Sequence, residues 1–245
     1  MLHKKINYLI GKEISHSQNL IFNDHAINFF SDLSSELKKN KSVLKSPDLF
    51  FLMMWCTKKN LITNKEKYKL SSLRIGRGII FHICPSNVPL NFFYSFAYGL
   101  LSGNSNIVKL PSRDYLETNI LISALKKIIN RKKYLQIKKT NIFIKYEKDR
   151  HINDFFTSKS DVRIIWGGDN TIYDIRESKL NSKSYELTFP DRYSLSIINL
   201  EKLLNCLAMF ASEIQNFLIS SLFVFPVQKI KCGELHACCF IVNAS

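Results

Sequence analysis

The sequence predicts an α/β protein, a parallel sheet flanked by helices and preceded by a mainly helical N-terminal region. Three observations carry that expectation. The 245-residue chain is 46% hydrophobic and 22% charged, which suits a globular protein with a substantial core. Its 8 Gly and 6 Pro are too few for a collagen-like or linker-rich chain. From Gly78 onward, short apolar runs of strand length alternate with amphipathic stretches of helix length. Alternation of that kind calls for a parallel sheet covered on both faces.

The elements follow in order. The first 75 residues read as helical. Asn23 or Asp24 is placed to cap a helix whose apolar positions Ile27, Phe30, Leu33 and Leu37 share one face. Ser46-Pro47-Asp48 combines a capping hydroxyl, a proline at the first helical position and an acid at the positive dipole end, and launches Leu49–Cys56. Strands are expected at Ile79–Ile83, Ile107–Leu110, Asn141–Tyr146, Val162–Trp166 and Leu195–Ile198. Helices are expected at Leu90–Leu101, closed by Gly103-Asn104, and at Tyr115–Ile129, His151–Phe156, Thr171–Glu177 and Leu200–Phe217. Open sheets bind ligands beyond the carboxyl ends of their strands. The loops Cys84–Pro89, Pro111–Asp114 and Gly167–Asn170 are therefore where chemistry is expected.

Charge and cysteine usage bound the function further. With 35 basic against 20 acidic residues the formal charge is +15, which permits nucleic acid, an anionic membrane or a phosphate-rich cofactor as partner. Lys126–Arg150 holds ten Lys/Arg and two acids. A nucleic-acid reading would want interleaved exposed aromatics or a recognition helix, whereas these charges end a helix and flank a strand, so they read as a solvated face or a phosphate-steering patch. The longest apolar stretch, Val88–Leu101, is too short to span a bilayer, and Met1–Ile10 has no secretory core. A cytoplasmic protein with reduced thiols is expected. Cys232, Cys238 and Cys239 with His236 lack the two separated ligand pairs of a zinc site, and no metal is expected.

No GxGxxG, Walker A or HExxH pattern is present, and Gly76-Arg77-Gly78 precedes a strand instead of following one. Gly78–Asp114 carries Pro-x-Asn-x-Pro (Pro85, Asn87, Pro89), Gly103-Asn104, a strand ending in Lys109, and Pro111-Ser112. In that order the stretch resembles the aldehyde dehydrogenase superfamily, and more narrowly the fatty acyl-CoA (acyl-protein thioester) reductases of bacterial bioluminescence. Asp161–Arg176, Pro190–Ile198 and Phe210–Ile214 extend the resemblance over roughly residues 70–217.

The resemblance implies a Rossmann-like sheet of the aldehyde dehydrogenase type. It also implies NADPH-dependent reduction of an acyl-CoA or acyl-protein thioester to a fatty aldehyde, in company with an acyl-transferase or synthetase. It divides the chain into a helical region (1–75), an NADP-binding domain (76–217) and an aberrant tail (218–245). Asn87, whose Pro-Ser-Asn setting is also ordinary turn chemistry, would donate to the oxyanion formed on the substrate carbonyl. Ile83, Pro85, Lys109, Ser112, Arg113, Trp166, Gly167 and Gly168 would contact the cofactor. Many NAD-specific relatives carry a glutamate at the position of Ser112. A serine beside Arg113 removes repulsion of a 2′-phosphate and favours NADP(H). Cys84 is expected to be a small core residue, and His82 an inward strand histidine.

The resemblance breaks where the nucleophile belongs. A thioester reductase needs a cysteine that takes up the acyl group, and the family pattern Ala-Cys-Ser-Ser aligns with Leu218–Ser221 so that Ile219 stands in the cysteine's place. One permissible codon choice for this stretch, shifted by one base, reads Leu-Ala-Ala-Cys-Ser-Ser. The Cys-rich tail is therefore expected to be a shifted frame and the chain truncated and inactive. The alternatives are a nucleophile from Cys232, Cys238 or Cys239, a non-catalytic nucleotide-binding domain, or a basic nucleic-acid-binding protein.

Overall fold

Asn7–Ile10 (β1), Ile79–Ile83 (β2), Ser105–Lys109 (β3), Asn141–Lys145 (β4), Val162–Trp166 (β5) and Tyr185–Phe189 (β6) form one sheet in the order β1-β4-β3-β2-β5-β6. The computed structural model describes residues 5–68 and 73–190. These residues lie in one compact unit, Met1–Asp191. The expected strand Leu195–Ile198, the expected helix Leu200–Phe217, Ile219 and the tail 218–245 lie outside the described residues.

Of the five expected strands, the four that fall within the described residues pair as β4-β3-β2-β5, all parallel. β6 extends the parallel set beside β5, and β1 closes the other edge antiparallel to β4. β2 is buried at all five positions, which is why Ile79–Ile83 reads as a continuous apolar run and not an alternating one. Two edge strands depart from the expectations. Asn7–Ile10 is strand although the first 75 residues read as helical, and Tyr185–Phe189 is a strand where none is expected. Both are short edge segments with solvent on one side, so neither carries the apolar run that marks a central strand.

The helices are Asp24–Leu37 (α1), Lys41–Lys45 (α2), Pro47–Trp55 (α3), Lys58–Lys67 (α4), Asn91–Leu101 (α5), Leu116–Ile129 (α6), Leu135–Lys139 (α7), Arg150–Ser158 (α8) and Asp169–Arg176 (α9). Asn23 caps α1, its Oδ1 accepting from Ala26 N at 2.9 Å. Pro47 occupies the first turn of α3, as its fixed φ favours. α9 starts at Asp169, two residues before the expected Thr171, because Gly168 already serves as its N-cap.

Each sheet face has its own core. On the first, α1, α5 and α6 cover Val108, Leu110 and Phe143. On the second, α8 and α9 cover Ile79, Phe81, Ile83, Ile107, Ile142, Ile144 and Ile165. At the amino ends of the strands, Asn104 fastens the sheet to α5. Its Oδ1 accepts from Arg77 N at 2.6 Å and Gly78 N at 3.2 Å, while Nδ2 donates to Gly99 O at 3.3 Å. Among the described residues no helix is long and apolar enough to cross a membrane.

Candidate functional site

The three expected loops leave the carboxyl ends of β3, β2 and β5, which are the three neighbouring strands at the centre of the sheet. Parallel strands put all these ends on one side. The chain order turns back at the β2–β5 boundary, where an open sheet leaves a crevice.

After β2, Pro85 is half-buried and Ser86, Asn87 and Val88 are exposed. The loop is tied down from the neighbouring connection: Tyr115 Oη donates to Ser86 O at 2.8 Å and Thr118 Oγ1 donates to Pro89 O at 2.9 Å. These two side chains hold the backbone on either side of Asn87. Sequence reasoning misses both, although each opens the helix that follows the adjacent strand. Ile83 packs into the second-face core.

After β3, the Lys109 side chain is largely covered and its Nζ lies 4.4 Å from the centre of the Tyr146 ring. Burial pushes the Lys109 ammonium pKa down, against the opposing pull of Glu147. Ser112 and Arg113 are exposed beyond it. Asp114 is held by Lys145 at 2.6 Å.

After β5, Trp166 is half-buried and stacks on Phe189, with ring centres 4.0 Å apart and planes at 12°. Gly167 has φ 154°, which a side chain rarely adopts, whereas Gly168 has an ordinary φ of −64°. Of the glycine pair, the first is the one the backbone requires.

A polar seam runs beneath these loops, across the first face. Asn106 Nδ2 donates to Asn104 O at 3.0 Å and to Asn141 Oδ1 at 2.7 Å, leaving its own Oδ1 as acceptor. His82 Nε2 lies 2.9 Å from that oxygen and so carries the ring proton. His82 Nδ1 then accepts from Ser95 Oγ at 2.8 Å, and Ser95 Oγ accepts from Trp166 Nε1 at 3.3 Å. The chain has one direction, because the indole only donates and the Asn104 carbonyl only accepts. Burial holds the His82 pKa down to about 4, so the ring is neutral at pH 7. His82 is thus the inward histidine its strand position suggests. Ser95, Asn106 and Asn141 are absent from the sequence-based expectations. Their signal is a polar residue recurring on the same face as His82 in an otherwise apolar layer.

Both described cysteines are buried free thiols. Burial pushes the Cys84 pKa up to about 12, opposed by the hydroxyl of Ser95, and raises that of Cys56 well above the ordinary range. Neither is a ready nucleophile. The basic stretch Lys126–Arg150 is substantially matched by carboxylates: Lys127 and Arg131 meet Glu36, Arg131 and Lys133 meet Asp32, Lys145 meets Asp114, Lys148 meets Asp174 and Arg150 meets Glu177. These pairs, on largely exposed side chains, make a solvated belt along the stretch.

The residues at the three loops suit a nucleotide. Hydroxyl and cationic side chains end β3 and its loop, Gly167 allows close main-chain approach after β5, and position 112 carries no carboxylate.

The family model described as acyl-CoA reductase (LuxC) matches residues 51–217. A long-chain acyl-protein thioester reductase of Aliivibrio fischeri is 28% identical over 134 residues, which is 54% of this chain and 27% of that protein. The chain therefore aligns with only about a quarter of that relative's length. An aldehyde dehydrogenase of Bacillus cereus superposes with a TM-score of 0.51 at 15% identity, over 74% of this chain and 41% of that one. A betaine aldehyde dehydrogenase of Staphylococcus aureus, solved with NAD+, gives a TM-score of 0.48 at 15% identity, over 68% and 38%.

Proposed function

From the premise that this chain belongs to the acyl-CoA reductase (LuxC) family, we propose that the described unit is the nucleotide-binding half of a fatty acyl thioester reductase. The observation that carries the reading is the placement of Asn87, Lys109 and Gly167 at or just beyond the carboxyl ends of three adjacent parallel strands, on one side of the sheet. Lys109 and the exposed Ser112 and Arg113 hold the adenosine ribose and its 2′-phosphate. Gly167 lets the main chain approach the nicotinamide end, beside Trp166. Bound there, NADPH would supply hydride to an acyl thioester carbon, giving the aldehyde as the thiol leaves. Asn87, on a loop fixed by Tyr115 and Thr118, would donate its side-chain N–H to a thioester carbonyl oxygen as negative charge gathers there. A fixed donor at that position is worth about 2.7–4 kcal/mol.

The thioester is an acyl-CoA or acyl-protein thioester, as the name of the Aliivibrio fischeri relative suggests. An acyl-transferase or synthetase is the class of partner that would deliver it. Ile219, at the position of the family's cysteine, has no nucleophilic atom, and Cys84 and Cys56 are buried as protonated thiols. Cys232, Cys238 and Cys239 lie outside the described residues. On the thiols that are described, the chain is expected to bind nucleotide without turning over thioester.

Titration of the purified chain with NADPH and NADH tests the reading. NADPH is expected to bind more tightly, and Ser112→Glu to reverse or erase the preference. Equal affinities in the parent chain would defeat the argument from Ser112 and Arg113. Turnover of acyl-CoA by the unaltered chain would defeat the assignment of an absent nucleophile.

A further inference from the structure

We propose that Ser95 and His82 are positioning residues for the nucleotide site, fixing the indole of Trp166 as a wall of the nicotinamide pocket. The inference rests on the nucleotide reading above and adds to it a part of the fold remote from the loops. Trp166 stands at the end of β5 immediately before Gly167, so its ring borders whatever lies against that turn. The indole is fixed on two sides. Its face stacks on Phe189, and its Nε1 donates to Ser95 Oγ at 3.3 Å.

Ser95 is not free to turn away. It sits buried in α5 beside the Cys84 thiol and donates to His82 Nδ1 at 2.8 Å, which leaves oxygen lone pairs for the indole N–H. His82 is in turn held by Asn106, and Asn106 by Asn104 and Asn141. Gly99 completes the arrangement. A Cβ there would meet Asn106 Oδ1 at 2.1 Å and His82 Nε2 at 3.0 Å, so α5 lies as close to the seam as a glycine allows. The result is a rigid line of hydrogen bonds from the amino ends of β3 and β4 to a side chain at the mouth of the site.

The test is a double-mutant cycle on this chain with two probes. NADPH carries the nicotinamide, and adenosine 2′,5′-bisphosphate carries only the adenosine and the 2′-phosphate. Ser95→Ala and Trp166→Phe each break the same bond. Each should weaken NADPH binding about fivefold, the scale of one neutral hydrogen bond. The double variant should be no weaker than either single one. Bisphosphate affinity should stay at the parent value in all three. Ser95→Thr keeps the hydroxyl and should bind NADPH like the parent. Unchanged NADPH affinity in both single variants overturns the proposal while leaving the nucleotide reading intact. So do losses that multiply in the double variant, or an equal loss for the bisphosphate. A parent chain that binds neither probe sinks the nucleotide reading and this inference with it. If Ser95→Ala fails to fold, Trp166→Phe against Ser95→Thr decides the matter, because the proposal requires the first to lose NADPH selectively and the second to keep it.

Discussion

The two faces of the sheet bury polar groups in opposite ways. The first face, under α5, holds the neutral seam Trp166–Ser95–His82–Asn106–Asn141. The second face, under α8 and α9, is apolar along β2 and β4, yet it buries a full charge at Arg163 of β5, which is 2% exposed. His82 avoids the cost of a buried charge by losing its proton, its pKa held down to about 4. A guanidinium cannot do that, so the fold surrounds it. Arg163 Nε and Nη2 both donate to Glu186 Oε2, and Nη1 donates to Ser178 O at 2.7 Å and Ile175 O at 3.2 Å. Glu186 also accepts from Arg176 at 2.7 Å. Burial opposes its ionisation, but Arg176 and Arg163 together outweigh burial and hold its pKa low. The comparison separates two tasks. The charged cluster staples the edge strand β6 and α9 to β5, while the neutral seam orients side chains toward the mouth of the candidate site.

The largest effect is expected at the charged cluster. Glu186→Ala strands a buried guanidinium and should cost about 3–5 kcal/mol. Chemical denaturation would show it, and a loss below about 1 kcal/mol, the scale of an exposed pair, would mean that Arg163 relaxes to water and that β6 is not stapled by charge. Next comes the pH response of the seam. The unfolded chain takes up a proton at His82 near 6.5, which the folded ring refuses until about 4. The unfolded state binds more protons across that window, so stability falls as pH drops from 6.5 and levels off near 4. The full loss is about 3 kcal/mol. The carboxylates with lowered pKa, among them Glu186 and Asp32, lose their contributions only at more acid pH, so the two windows are separable. A denaturation midpoint that stays flat as the pH falls from about 6.5 to about 4.5 would contradict the neutral buried ring. The smallest effect is expected for Gly99→Ala, which pushes α5 off the seam and should cost about 1–3 kcal/mol. Because the added methyl meets Asn106 and His82, the indole emission of Trp166 should shift as well. Destabilisation without that shift would separate the packing of α5 from the orientation of Trp166.

Much of the candidate site is legible without the structure because its chemistry sits in continuous segments. Pro85-Ser86-Asn87, Lys109 with Pro111-Ser112, and Trp166-Gly167 each end a strand and open a loop. The parallel order of their strands follows from the strand–helix alternation. The helix starts are legible for the same reason, since a cap such as Asn23 or a first-turn proline such as Pro47 acts within one turn of itself, although the Ser46 hydroxyl makes no capping bond to α3. What stays hidden depends on residues brought together from far apart. Nothing within one turn of Ser95 marks it as the partner of both His82 and Trp166, the latter 71 residues away. The same holds for Tyr115 and Thr118, which reach the Asn87 loop across 29 residues. β1 and β6 are hidden because an edge strand is half in solvent and owes its identity to the neighbour it pairs with. Local propensity and periodicity are properties of the chain, and the sequence alone determined the elements they govern. Hydrogen-bond direction, the burial that neutralises His82 and the stapling of Arg163 arise only once distant residues share one low-dielectric interior, and the tertiary structure alone decided them.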